Sequence, residues 1–331
     1  GQRMFVELQE AISQQVANII FKVGFVQKPN DSKVETKKAG IVSNIAHSSV
    51  SKQVEEEYHP QRLSVIEKFG ISFDLYTKTD TLNHKKISQD FFIKLLEKGY
   101  IFKGTSNQYY SETEKRFLPD RYVEGVCPNC KKEGARSDQC ENCGAVIQQG
   151  ELINPLSKNT KTSVELRETE HYFLVCPKLQ PFLESYIEKV TDYRDWVLKE
   201  TKGWLKTGLK PREITRDLDW GVELPISRIP EGERIKNIEN KRIYVWFEAV
   251  IGYLSASVEW ADMVDGDWKK FWYGEDSYHY YFMGKDNLIF HTLFWPGQLH
   301  VYDDKLKLPD NVVISQFLNL EGQKFSKSRG L

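Results

Sequence analysis

Tyr278-His-Tyr-Tyr-Phe-Met-Gly284-Lys-Asp-Asn287-Leu-Ile-Phe-His291-Thr-Leu-Phe-Trp295-Pro-Gly297 is the stretch that decides the fold. Its first seven residues are an apolar run of strand length. Residues 287–297 then continue with large side chains at helical spacing, so the segment reads as a strand passing through Lys285-Asp286 into a helix. Arg242-Ile-Tyr-Val-Trp-Phe247 upstream and Asn311-Val-Val-Ile-Ser315 downstream are further apolar runs, as expected of strands buried in a parallel sheet. Strands alternating with helices predict an α/β fold. In such sheets the strand-to-helix transitions present side chains to ligand at the carboxyl edge.

The text before these runs is less regular. Residues 1 to about 60 carry no clean period, and Leu63, Ile66 and Phe69 read as a helix running into Gly70. Phe73–Tyr76 reads as a strand. Ser88 starts a helix with Phe91, Phe92, Leu95 and Leu96 on one face and Gly99 as its stop. Tyr100–Tyr110 reads as a hairpin, Glu165 opens a strand, and 178–189 and 194–206 read as helices.

Four of the five cysteines form two Cys-x-x-Cys pairs, Cys127-Pro-Asn-Cys130 and Cys140-Glu-Asn-Cys143, nine residues apart. Each pair can turn its sulfurs to one side of a tight turn, and two such turns give a tetrahedral S4 set. The polar linker between them builds no core of its own. This spacing, without a secretory pattern, predicts one structural Zn2+ rather than disulfides. Cys176 reads as a buried small hydrophobe rather than a fifth ligand.

The 331 residues carry a net charge of -1, so no global field draws nucleic acid, and any RNA contact must use local basic patches. No run of about 18 apolar residues occurs, so no membrane partner is expected. Aromatic residues reach 13% with eight tryptophans, enough for some of them to line a pocket. Three segments are candidates for ligand contact. Trp246-Phe-Glu-Ala249-Val-Ile-Gly-Tyr253 sets small residues between aromatic walls. Asn287, His291 and Trp295, four apart after Lys285-Asp286, share a helix face. Lys324-Phe-Ser326-Lys327-Ser328-Arg329 clusters cations and hydroxyls suited to a polyphosphate.

From about residue 55 onward the chain resembles the methionyl-tRNA synthetases, a family of class I aminoacyl-tRNA synthetases. The resemblance rests on several segments in one order: Ile71-Ser-Phe-Asp-Leu-Tyr76, Phe117-Leu-Pro-Asp-Arg-Tyr-Val-Glu-Gly125, Leu166-Arg-Glu-Thr-Glu-His171, Gly208–Gly221, Tyr244-Val-Trp-Phe-Glu-Ala249, Gly284-Lys-Asp-Asn287 and Lys324-Phe-Ser-Lys-Ser328. It implies a Rossmann-like parallel sheet split by a connective insertion that carries a zinc knuckle. The implied divisions are residues 1–79 as a partial first half, 80–203 as the insertion with its knuckle at 122–152, and 204–331 as the second half.

The implied activity is methionine–tRNA ligation in the cytoplasm: methionine is activated with ATP and Mg2+ to methionyl-adenylate and transferred to tRNA(Met). Trp246, Ala249, Tyr253, Asp286, His291 and Trp295 match the methionine pocket. Lys285, Arg216, Lys324, Ser326, Lys327 and Ser328 match ATP-binding positions, with Lys324 and Lys327 as the catalytic pair. Two other readings share these features: a synthetase of the same class for a different apolar amino acid, and a zinc-containing RNA-binding module without chemistry.

Four features depart from the family pattern. No His-x-Gly-His segment follows a first strand; His47-Ser-Ser-Val and His59-Pro-Gln-Arg do not replace it. Asp31 is poorly placed for the acidic residue that holds the substrate ammonium. Glu248-Ala249-Val250 stands where Asp-Ala-Pro is usual, and the region around Asn154 lacks the cysteines of a second knuckle. These departures predict that the chain is a catalytic-domain fragment that does not charge tRNA alone.

Overall fold

The structure is a computed structural model; it describes residues 73–137, 140, 143, 147 and 150–316, and the backbone of 319–320 and 323–324. The helix expected around Leu63–Phe69 lies outside the described residues. The chain divides into two compact units. One comprises 85–186 and 203–249, and the other comprises 1–84, 187–202 and 250–331.

The first unit is built on antiparallel pairing. Helix α1 (Leu82–Glu97) buries Phe91, Phe92 and Leu95. It ends where Gly99 takes a left-handed φ of 69°. Gly99 N–H bonds the Leu96 carbonyl and Tyr100 N–H the Leu95 carbonyl, a cap that residues with a Cβ rarely make. The helix begins six residues before the expected Ser88, and Phe73–Tyr76 forms no strand.

Residues 101–111 form one long strand, β1 (Ile101–Ser111), rather than the expected hairpin. The turn comes later, at 112–115 before β2 (Arg116–Phe117), where Lys115 takes a left-handed φ of 51°. β1 pairs from Ile101 to Tyr110 with β6 (Glu165–Leu174), and β7 (Arg212–Glu213) completes the order β2-β1-β6-β7.

A small three-stranded sheet of β3 (Val123–Val126), β4 (Ala135–Arg136) and β5 (Ile153–Ser157) brackets the cysteines. At its bulge a Cβ on Gly125 would lie 2.6 Å from the Ile153 carbonyl oxygen, so only glycine admits this approach of two backbones. The core beneath is slight: Tyr109, Leu118, Val123, Ile147 and Leu152 pack with Cys127 and Cys140. Helices α2 (Cys176–Lys189) and α3 (Asp195–Thr207) match the expected helices and pass between the two units along the chain. Cys176 is buried, and burial pushes its thiol up to about 12.

The apolar run at 242–247 is not a parallel strand. β10 (Lys241–Ile243) pairs antiparallel with both β8 (Thr215–Asp217) and β9 (Val222–Glu223), and the chain then turns at Tyr244 into the short helix α4 (Val245–Glu248). A short apolar run satisfies a buried strand and a buried helix equally well, so its periodicity could not separate them.

Under this sheet lies a buried ionic cluster. Lys241, 1% exposed, places its ammonium 2.7 Å from Asp217 and donates to Thr169 at 2.6 Å. His171, fully buried, stands 3.2 Å from the same carboxylate and 3.0 Å from Thr215. Burial alone raises the Asp217 carboxyl, but bonds from His171 and Lys241 outweigh it and hold it below its usual range.

The second unit carries the parallel pairing. Helix α5 (Gly252–Val264) buries Tyr253, Leu254 and Ala261, and a short α6 (Lys269–Trp272) follows. β11 (Tyr280–Gly284) runs parallel to β12 (Asn311–Ser315), with Tyr281 opposite Val312 and Met283 opposite Ile314. Between them lies α7 (Trp295–Tyr302), so strand, helix and parallel strand follow the expected order. β13 (Asn319–Leu320) and β14 (Gln323–Lys324) close the described chain.

Replacing Lys241 with Met should destabilise the first unit by about 3–5 kcal/mol in urea unfolding, because a largely buried carboxylate loses its partner. Arg228→Ala, which breaks the half-exposed pair with Asp90, should cost no more than about 1 kcal/mol. Equal effects would contradict the weight given to burial.

Candidate active site

β11 ends at Gly284, and the chain turns through a single 3-10 turn at Lys285–Asn287 before its helix begins. Residues Phe290–Phe294 then widen into π-helical bonding, and α-helical bonding resumes at Trp295. Two residues account for the widening. Pro296 has no N–H to return to the Thr292 carbonyl. Thr292 Oγ1 donates to the Leu288 carbonyl at 3.0 Å and competes with the backbone ladder. His291 and Trp295, two of the three residues expected on one helix face, both pack against Tyr253, with ring centroids 5.5 and 6.4 Å away. His291 reaches back to Asn287, whereas Trp295 turns its indole N–H to the Tyr281 hydroxyl, 3.1 Å away.

The protonation of His291 follows from its partners. Its Nδ1 lies 2.9 Å from the Asn287 carbonyl, which can only accept, so Nδ1 carries the proton. Nε2 is then an acceptor and receives the Tyr253 hydroxyl proton at 2.7 Å. Burial depresses the His291 pKa to about 4, so the imidazole is neutral near pH 7. Burial, reinforced by Tyr281, raises the Tyr253 phenol well above its ordinary value. Tyr253 therefore spends its one proton on His291 and keeps oxygen lone pairs as acceptors.

Around this bond the rings interlock. Tyr253 packs edge-on against Tyr281 with centroids 4.6 Å apart, and its centroid lies 6.4 Å from that of Trp295. The cluster is apolar, aromatic and uncharged.

Of the residues expected at the methionine pocket, Tyr253, His291 and Trp295 come together in this unit. Asp286 is exposed on the 3-10 turn. Trp246 and Ala249 belong to the other unit, as does Arg216. Arg216 donates to Glu213 at 2.5 Å and stacks 4.2 Å over the Tyr244 ring. Lys285 pairs with Glu200 at 3.2 Å beside Trp196. Ser326, Lys327 and Ser328 lie outside the described residues, and of Lys324 only the backbone, paired with Asn319, is described. Two residues that sequence reasoning missed, His279 and Tyr281, abut the cluster. Their signal was their spacing alone: 279 and 281 lie two apart in the run 278–284 and so share one face.

In the other unit the four cysteine sulfurs lie within 4.8 Å of one another. Cys127 and Cys143 are 3.8 Å apart, and Cys130 and Cys140 are 3.7 Å apart. A tetrahedral site with metal–sulfur bonds of about 2.3 Å has edges of about 3.8 Å, so this set could hold a metal ion.

The family model described as tRNA synthetases class I (M) matches residues 40–331. The chain belongs to the class I (M) tRNA synthetases. Curated relatives of this family include a methionine–tRNA ligase of Dehalococcoides mccartyi, 50% identical over 84% of this chain and 48% of its own length. That of Thermomicrobium roseum is 46% identical over 82% of this chain and 45% of its own. The chain spans about half the length of the curated relatives it matches.

Among solved structures, Mycobacterium tuberculosis methionyl-tRNA synthetase in complex with methionyl-adenylate aligns with a TM-score of 0.55 and 22% identity. The alignment covers 85% of this chain and 47% of that one, and it supports the class I α/β fold.

His279 is likewise depressed to about 4 by burial. Folding keeps both imidazoles neutral, whereas the unfolded chain binds their protons near pH 6.5. Their contribution to stability is complete above pH 6.5 and is lost as pH falls towards 4, with a slope of ~1.4 kcal/mol per pH unit for each histidine. His291→Gln should flatten urea-unfolding stability against pH by one such slope. An unchanged slope would contradict the buried neutral state.

Proposed function

We propose that the chain is the catalytic part of a methionine–tRNA ligase, which activates methionine with ATP and Mg2+ as methionyl-adenylate and transfers it to tRNA(Met) in the cytoplasm. The observation that carries this reading is the Tyr253–His291–Trp295 cluster, set in a chain 50% identical to a ligase of that name. A thioether side chain is apolar and polarisable, and aromatic rings around a neutral hydroxyl–imidazole pair suit it better than a charged or strongly polar group. A pocket of this kind offers no charge to compensate an ionised side chain.

In the proposed reaction the methionine carboxylate, already ionised, attacks the α-phosphate in line and pyrophosphate leaves. The chain's task is to position the reactants and offset developing negative charge. We assign that task to Lys324 and Lys327, with Ser326 and Ser328 donating to phosphate oxygens and Lys285 and Arg216 as further cations. Lys285 is now held by Glu200, so phosphate would have to compete for that ammonium.

We also propose that the S4 set holds one structural Zn2+ in a connective insertion. Cys127, Cys130, Cys140 and Cys143 would ligate it, and the metal would supply cohesion to the slight core beside them. We keep as part of the proposal the division into an insertion at 80–203, which contains the antiparallel pair β1–β6, and a second sheet half at 204–331, which contains the parallel pair β11–β12, although residues 203–249 cluster with 85–186.

Calorimetry on the full chain tests the substrate. Methionine should bind and isoleucine and leucine should not; equal binding of the three, or binding only of a short RNA hairpin, would overturn the reading. Elemental analysis should find one zinc per chain. Cys127→Ser should lose that zinc and unfold at a lower temperature, whereas a metal-free chain of unchanged stability would exclude the site.

A further inference from the structure

His279, immediately before β11, and Tyr281, on it, carry none of the roles assigned above, yet both are buried and both are bonded in one direction. The His279 Nε2 lies 3.0 Å from the Phe271 carbonyl, so this nitrogen carries the proton and Nδ1 accepts. The Tyr281 hydroxyl lies 3.3 Å from that Nδ1 and donates to it. The Trp295 indole N–H donates in turn to the Tyr281 oxygen at 3.1 Å. The chain of donors therefore runs Trp295 to Tyr281 to His279 to the Phe271 carbonyl, and every member has one admissible proton position.

The far end is anchored. His279 N–H donates to the Asp310 carboxylate at 2.7 Å, and the His279 carbonyl accepts from Asp310 and Asn311 N–H at 3.1 and 3.0 Å. Trp272, fully buried, meets the His279 ring edge-on at 4.6 Å and the Trp295 ring edge-on at 5.9 Å. The same Tyr281 ring supports Tyr253 edge-on. Two rings of the candidate pocket thus rest on one tyrosine.

We propose that Tyr281 and His279 are positioning residues that fix the orientation of Trp295 and Tyr253 and thereby set the pocket's selectivity for methionine. This inference rests on the methionine reading of that pocket. The single-direction chain explains why a side chain as large as Trp295 holds one orientation in a cluster otherwise made of rings. Burial keeps His279 neutral, so the direction of the chain persists through the ordinary pH range.

The test uses the full chain labelled with 5-fluorotryptophan, the Trp295 fluorine resonance being assigned by its loss in Trp295→Phe. Tyr281→Phe removes the oxygen that accepts from Trp295, and His279→Leu removes the acceptor behind it. Each should shift or broaden the Trp295 resonance and weaken methionine binding about tenfold in calorimetry. His279→Gln, whose amide can accept from Tyr281 and donate to Phe271, should restore both readouts.

An unmoved Trp295 resonance in Tyr281→Phe overturns the proposal, as does methionine binding that stays at the parent level in the folded variant. If the parent chain binds no methionine, the pocket reading fails instead. The Trp295 resonance then decides the positioning role: a shift reversed by His279→Gln sustains it, and an unmoved line removes it.

Discussion

The hydrogen bond from Tyr253 to His291 is the constraint on which the second unit turns. It joins α5 to the helix that follows β11, and both partners are fully enclosed. An imidazole buried this deeply cannot carry charge at neutral pH, so its two nitrogens must divide into one donor and one acceptor. The Asn287 carbonyl fixes which is which. The rings of Tyr281 and Trp295 then pack against Tyr253, and the geometry of the cluster follows from one proton assignment.

The first unit solves a different problem. It has many antiparallel strands but modest apolar content around its cysteines, and it compensates with polar devices. The Lys241–Asp217–His171 cluster is satisfied on every side, as a buried ionic group must be if it is not to unfold its surroundings. Near β3 the four cysteine sulfurs lie within 4.8 Å of one another, a set that could hold a metal ion.

Much of this was legible in the sequence. The strand-to-helix passage at 278–297 announced the α/β class, the Cys-x-x-Cys pairs announced their own convergence, and Gly99 marked a helix end that the structure realises with a left-handed cap. Local rules with a single physical cause were readable. The misreadings arose where several causes compete. The run at 242–247 is apolar enough for either a strand or a helix, and its neighbours decide. The helix after Asn287 widens at Phe290–Phe294, beside Thr292 and Pro296, which a strict spacing of four does not anticipate. His279 and Tyr281 escaped notice because a polar group in an apolar strand reveals its purpose only when its partners are in place.

The central claim is that a neutral His291, protonated on Nδ1, accepts from Tyr253 inside a pocket that receives methionine. Nitrogen-15 histidine NMR of the full chain at pH 7 tests this directly. The expected spectrum shows His291 as the Nδ1–H tautomer, with its Nε2 shift moving on addition of methionine and remaining still with isoleucine. A protonated imidazolium, an Nε2–H tautomer, or a resonance indifferent to methionine would contradict the claim.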